Sequence, residues 1–344
     1  MAEVCSIAIR PLSRGSWNAI PSSRIKPIVR PIAAILCAAA LASAQDPVTF
    51  RTGVSLVHVD AEVLDQDGRI LSGLHKEDFR VFDERKEQPV LQFAAEEQAL
   101  DLILLFDISG SMHAVVREVA DAARQGLQQL QPGDRVCVMV FNTSTREVAP
   151  FTGDLDAVGR TIQDDVLGLN FGGGTLIQAA VSRAAMRFRR EPHTERRRAV
   201  LIVTDNIGVR TRREASVVNE FWESDAILSG LIVRNPVFET MRTVSVILGP
   251  QNLAIHAGMK GIAEKTGGDA LTAKEPGAAF QEAMRRIRTR YSLYYALPEA
   301  KPGATRSIRV ELAAGAAQRF PKSRLRARTG YVVPYPDKPA PAAR

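Results

Sequence analysis

The chain has 344 residues, 45% hydrophobic and 24% charged, with a formal net charge of +7. That balance excludes a disordered or low-complexity chain and leaves room for one large domain or two modest ones. Three cysteines are too few for a disulfide framework, and the five histidines show no zinc spacing.

Arg24, Lys26 and Arg30 precede an apolar segment from Ile32 to Ala42, and Ala42-Ser43-Ala44 has the form of a cleavage site, so residues 1–44 read as a secretory signal peptide. The segment is short of the about 20 residues that span a bilayer, so no stable membrane span is expected once the leader is gone. Whether the leader is cleaved or retained stays open. Leu36 is larger than the residue that usually precedes a lipid-modified cysteine, which argues against attachment at Cys37. The leader holds five basic residues and one acidic residue, so its removal lowers the charge of +7 by four, to +3, and leaves Cys137 as the lone thiol. Set in Val136-Cys137-Val138-Met139-Val140, Cys137 reads as a packing residue.

Residues 45–98 form a β-rich segment. Apolar and polar positions mix from Val54 to Leu64, Asp65-Gln66-Asp67-Gly68 supplies a turn, Leu71–Phe79 reads as a turn with a short helix, and Arg80–Asp83 and Pro89–Ala94 are strand candidates.

Residues 99–290 alternate strand and helix. This predicts an α/β domain, a doubly wound and mostly parallel sheet with helices on both faces. The uniformly apolar run Leu102–Phe106 is its buried central strand. Helices are expected at Met112–Leu130, Asp154–Leu167, Thr175–Arg190, Arg212–Ser224, Leu253–Lys265 and Ala278–Arg290. Further strands are expected at Arg135–Phe141, Ala199–Thr204, Ile227–Val233 and Asp269–Thr272, with an antiparallel edge strand at Thr145–Pro150 and a possible strand at Val244–Leu248. The arginines at 187, 189, 190, 196, 197 and 198 read as a solvated basic cluster around a helix end. Residues 291–333 return to strands, at Tyr291–Leu297, Ser307–Ala313 and Leu325–Thr329, and the proline-rich residues 334–344 read as a disordered tail. The two β-rich ends are expected to pair into one small sandwich-like module, because each alone leaves its edges unpartnered.

Asp107, Ser109 and Ser111 follow the central strand, Thr175 follows Gly172-Gly173-Gly174, and Asp205 ends another apolar strand. All five fall at one end of the sheet, where open α/β folds bind ligands. Two carboxylates and three hydroxyls make an oxygen-only set, suited to Mg²⁺, Mn²⁺ or Ca²⁺ rather than zinc or copper. The alternative is plain helix capping by Ser109, Ser111 and Thr175. His113 reads as a solvated residue at a helix start. The glycine loop lacks the Gly-Lys-Ser/Thr ending of a phosphate loop, so a nucleotide site is not expected.

Asp107-Ile108-Ser109-Gly110-Ser111, Thr175 and Asp205, in this order on this strand pattern, resemble the metal-ion-dependent adhesion site of von Willebrand factor type A domains. Leu56-Val57-His58-Val59-Asp60, Gly73–Phe79 and Arg326–Tyr331 resemble a subfamily of secreted bacterial proteins with such a domain. The resemblance implies that Ser109, Ser111 and Thr175 are hydroxyl ligands of a divalent cation, Mg²⁺ foremost, and that Asp107 and Asp205 are carboxylates at the site, direct or through water. It departs at Asn206, where the family commonly has glycine.

The expectation is an exported, periplasmic or extracellular, non-catalytic adhesion or scaffold protein whose cation captures a carboxylate of a protein partner, with no nucleic-acid role. A metal-dependent hydrolase and a structural protein with a non-functional metal site are the alternatives. No histidine, cysteine or serine nucleophile arrangement supports the first of these.

Overall fold

The computed structural model describes residues 55–95, 98–192, 196–208, 211–233 and 258–335. The expected leader, the possible strand at Val244–Leu248 and the tail beyond Tyr335 lie outside the described residues. Among the described residues, no helix is long and apolar enough to cross a membrane.

The chain first lays down β1 (Leu56–Leu64), β2 (Phe79–Asp83), β3 (Lys86–Gln88) and β4 (Gln92–Ala94). In β1 the period of two separates Val57, Val59, Ala61 and Val63, which enter a hydrophobic core, from His58, Asp60 and Glu62 on the opposite face. That polar face is largely covered, with Asp60 and Glu62 buried and His58 nearly so. His58 pairs with Asp225 at 3.0 Å, Asp60 accepts from Ser292 at 2.9 Å, and Glu62 pairs with Arg326 at 3.2 Å.

The α/β region contributes β5 (Leu100–Asp107), α1 (His113–Leu127), β6 (Arg135–Phe141), β7 (Thr145–Thr152), α2 (Leu155–Arg160), α3 (Ile177–Arg187), β8 (Arg197–Thr204), α4 (Glu214–Glu223), β9 (Ala226–Val233), α5 (Met259–Thr266), β10 (Ala270–Ala273) and α6 (Pro276–Arg288). The sheet order is β10-β9-β8-β5-β6-β7, parallel throughout except for the antiparallel edge strand β7. Side chains of β5 alternate between two cores. Leu102, Leu104 and Phe106 pack with Val116, Val119, Phe280 and Met284 of α1 and α6, while Ile103 and Leu105 pack with the helices of the other face through Val181, Phe221 and Ile262. A strand covered on both sides has no polar position to spare, which is why the run is uniformly apolar. Where one helix was expected over Asp154–Leu167, α2 widens into a π-helical stretch at Thr161–Val166.

The expected solvated arginine cluster is largely not solvated. Arg197 and Arg198 open β8 and are buried, with their guanidinium groups donating to the carbonyls of Arg288 at 2.7 Å and Ser224 at 3.1 Å. Arg187 is held by Glu147 at 2.5 Å and Glu191 at 2.7 Å. Carbonyls and carboxylates contributed by distant segments replace the water that the local sequence alone would assign to these residues.

The chain closes with β11 (Tyr291–Ala296), β12 (Thr305–Leu312), a short helix α7 (Ala314–Arg319), β13 (Arg324–Ala327) and β14 (Gly330–Val332). Two four-stranded sheets result, β13-β1-β11-β4 and β14-β12-β2-β3. Both are antiparallel. They share one core built on Val59, Val81, Tyr291, Leu293, Tyr295 and Ile308.

Candidate metal centre

Connections leave β5 in opposite directions, to β6 on one side and ultimately to β8 on the other, so the carboxyl ends of β5 and β8 border a topological switch point. Asp107 is the last residue of β5 and is fully buried. Its Oδ1 accepts from the Ser109 N–H at 2.9 Å and its Oδ2 from the Thr204 hydroxyl at 2.7 Å. The chain then turns through Gly110–Met112 into α1, which leaves the Ser109 and Ser111 hydroxyls 3.5 Å apart. Ser111 donates to Asp205 Oδ2 at 2.7 Å, and the Ile207 N–H donates to Asp205 Oδ1 at 3.1 Å. Asp107, Ser109, Ser111 and Asp205 thus form one connected group.

Thr175 arrives on the glycine loop. The Gly172 N–H donates to the Ile108 carbonyl at 2.9 Å, Asn142 Nδ2 to the Gly172 carbonyl at 3.1 Å, and the Leu176 N–H to the Asn142 carbonyl at 3.0 Å. Gly173 has a φ of +82°, a left-handed conformation that favours glycine. At the far side, a Cβ on Gly208 would fall 2.7 Å from the Thr175 carbonyl oxygen, so the Thr175 and Asp205 loops are in contact through backbone. Capping does not account for these hydroxyls. The Ser109 side chain makes no capping hydrogen bond, and Leu176 rather than Thr175 occupies the cap position of α3.

Burial lifts the Asp107 carboxyl to about 6 against the hydrogen bonds from Ser109 and Thr204, and the nearby Asp205 carboxylate adds to the rise. A cation between the two carboxylates would relieve that repulsion. Neighbouring ligands of an octahedral Mg²⁺ with bonds of about 2.1 Å lie about 3 Å apart. The spacings of 3.5 Å between the serine hydroxyls and 2.7 Å from Ser111 to Asp205 bracket that edge. The residues fit a hard divalent cation. Among the described residues, no three His, Cys, Asp or Glu side chains converge to hold a metal.

Sequence reasoning missed Thr204, Asn142 and the environment of His113. Thr204 bridges Asp107 and the Asn206 N–H, which it accepts at 3.1 Å. Its only signal was its place beside Asp205 at the end of an apolar strand. The His113 ring is half-buried and packs edge-on against Phe171, with centroids 4.8 Å apart. Asn206 has a φ of 59°, in the left-handed region where the family commonly has glycine.

A mostly parallel open sheet with helices on both faces, and with hydroxyls and carboxylates at its switch point, defines a doubly wound α/β domain. Residues 102–208 match the family model for the von Willebrand factor type A domain, and this part of the chain is a domain of that family. The match includes all of Asp107, Ser109, Ser111, Thr175 and Asp205 and spans less than half of the chain. Among solved structures, the conserved hypothetical protein BatB from Bacteroides thetaiotaomicron is similar over 55% of this chain and 97% of its own, at 18% identity and a TM-score of 0.44. A von Willebrand factor type A protein from Catenulispora acidiphila is similar over 83% of this chain and 76% of its own, at 11% identity and a TM-score of 0.41. The open conformation of the pilus adhesin SpaC from Lactobacillus rhamnosus GG is similar over 75% of this chain and 48% of its own, at 11% identity and a TM-score of 0.42. No curated protein matches the sequence.

Proposed function

We propose that the protein is an exported, non-catalytic binding protein that holds a divalent cation, Mg²⁺ foremost, and uses it to capture a carboxylate on a protein partner. The observation that carries this is the hydrogen-bonded group of Asp107, Ser109, Ser111 and Asp205 at the switch point, with Thr175 on the adjoining loop. Ser109, Ser111 and Thr175 would supply hydroxyl oxygens, and Asp107 and Asp205 negative charge, directly or through water. A bound cation supplies an electrophilic position that a carboxylate can occupy. Two carboxylates formally balance the charge of a divalent ion without excess, and the three hydroxyls add no negative charge that would repel a partner's carboxylate. Thr204 and the Ser109 backbone hold Asp107 in place, and Ile207 does the same for Asp205. The basic and apolar leader supports export.

Thermal unfolding with EDTA, and then with Mg²⁺, Mn²⁺ or Ca²⁺, tests the proposal. A ligand specific to the folded state stabilises it by about 2.7 kcal/mol at a hundredfold excess over its dissociation constant. The expected result is a cation-dependent rise that Asp107→Ala abolishes. No rise with any of the three ions would sink the proposal, and hydrolytic turnover that stops on chelation would move the protein to the metal-dependent hydrolases.

A further inference from the structure

Past β8 the backbone enters the left-handed region at Asn206, with a φ of 59°. Glycine occupies that region freely and a residue with a side chain does so at a cost, so the carboxamide is what sets Asn206 apart from the residue that suits the position best. That carboxamide is not at the surface. Asn206 is 9% exposed, and its Oδ1 is shut off from solvent without a hydrogen-bond donor among the described residues. Buried acceptors are nearly always paired, and one that is not points to a missing water or ion.

Its neighbours make the gap specific. Both carboxylate oxygens of Asp107 receive hydrogen bonds from the protein, from Ser109 and Thr204, and both of Asp205 do, from Ile207 and Ser111. The Asn206 N–H is itself in this network through Thr204, at 3.1 Å. Asn206 Oδ1, beside them, meets no donor among the described residues.

We infer that Asn206 Oδ1 accepts a hydrogen bond from a water molecule held on the divalent cation, making Asn206 a positioning residue for the hydrated ion. The inference rests on the cation site proposed above. Mg²⁺ keeps several of its waters when bound to protein, and an ion-polarised water is a strong donor. Groups that orient a metal's immediate ligands commonly change affinity by about 10–100-fold when removed.

Two variants of the full chain separate this role from a structural one. Asn206→Gly keeps the backbone conformation and deletes the acceptor, whereas Asn206→Asp keeps an acceptor oxygen. Each is titrated with Mg²⁺ by calorimetry and melted in EDTA. Asn206→Gly is expected to melt at or above the wild-type temperature in EDTA yet to bind Mg²⁺ about tenfold more weakly or worse. Asn206→Asp is expected to bind at least as tightly as the wild type. Mg²⁺ affinity of Asn206→Gly within twofold of wild type overturns the inference, as does a fall in its EDTA melting temperature that accompanies the weaker binding. Absence of Mg²⁺ binding by the wild type refutes the cation site itself, and this inference with it. A wild type that binds beside an unaffected Asn206→Gly refutes the inference alone.

Discussion

Thr204→Val is a direct probe of how the site is built. The substitution is nearly isosteric, and the position is fully buried, so it removes one hydroxyl with little change in packing. That hydroxyl donates to Asp107 Oδ2 at 2.7 Å and accepts the Asn206 N–H at 3.1 Å. The hydrogen bond to a charged acceptor is worth about 1.5–3 kcal/mol and the stranded N–H costs about 1–3 kcal/mol, while the new methyl group returns about 1 kcal/mol, for a net loss of about 1.5–5 kcal/mol. Domains of this kind have about 5–15 kcal/mol in hand, so the variant should fold. Urea denaturation of both proteins in EDTA, followed by circular dichroism, measures the difference. A loss below about 0.5 kcal/mol, the range of an ordinary surface substitution, would refute the claim that Thr204 holds Asp107 and the Asn206 loop together.

Two further predictions concern the β-rich part of the chain. Asp83 is buried and accepts from Tyr295 at 2.9 Å, Tyr331 at 2.8 Å and Arg306 at 2.7 Å, which ties β2 to β11, β14 and β12. Removing one partner of a buried charged pair costs about 3–5 kcal/mol, so Asp83→Ala should show a loss of that order in denaturant unfolding while a cation response at the distant α/β site persists. His58 concerns pH. Burial pulls its pKa down, but the Asp60 and Asp225 carboxylates outweigh burial and raise it from 6.5 to about 9. A folded-state value above the unfolded one means that His58 contributes its full stabilisation below pH 6.5 and loses it as the pH rises through about 9. Unfolding free energy measured across that window should therefore fall more steeply in the wild type than in His58→Gln. Parallel slopes would show that the His58 charge is not stabilising the fold.

Local patterns carried most of the α/β domain. Leu102–Phe106 announced a strand buried on both faces because a doubly covered strand has no solvent side, and the polar residues that end it marked the edge where ligands bind. The five candidate site residues were legible for the same reason, since each stands where an apolar run or a glycine loop stops. Other features had no local signature. The alternation of β1 gave the period of its two faces but not that His58, Asp60 and Glu62 would be buried against charges. Nor did six arginines in a short stretch reveal that Arg197 and Arg198 would serve distant carbonyls. The six-residue helix α7 was missed because so short a segment has little helical preference of its own and forms through its surroundings. Sequence alone determined which residues are buried by period and where chemistry-bearing groups leave the sheet, because both depend on neighbours along the chain. Tertiary structure decided which strand lies beside which, and with it the bond from Thr204 to Asp107 across 97 positions and the unpaired oxygen of Asn206, because partners that distant are chosen by the packing of the whole sheet.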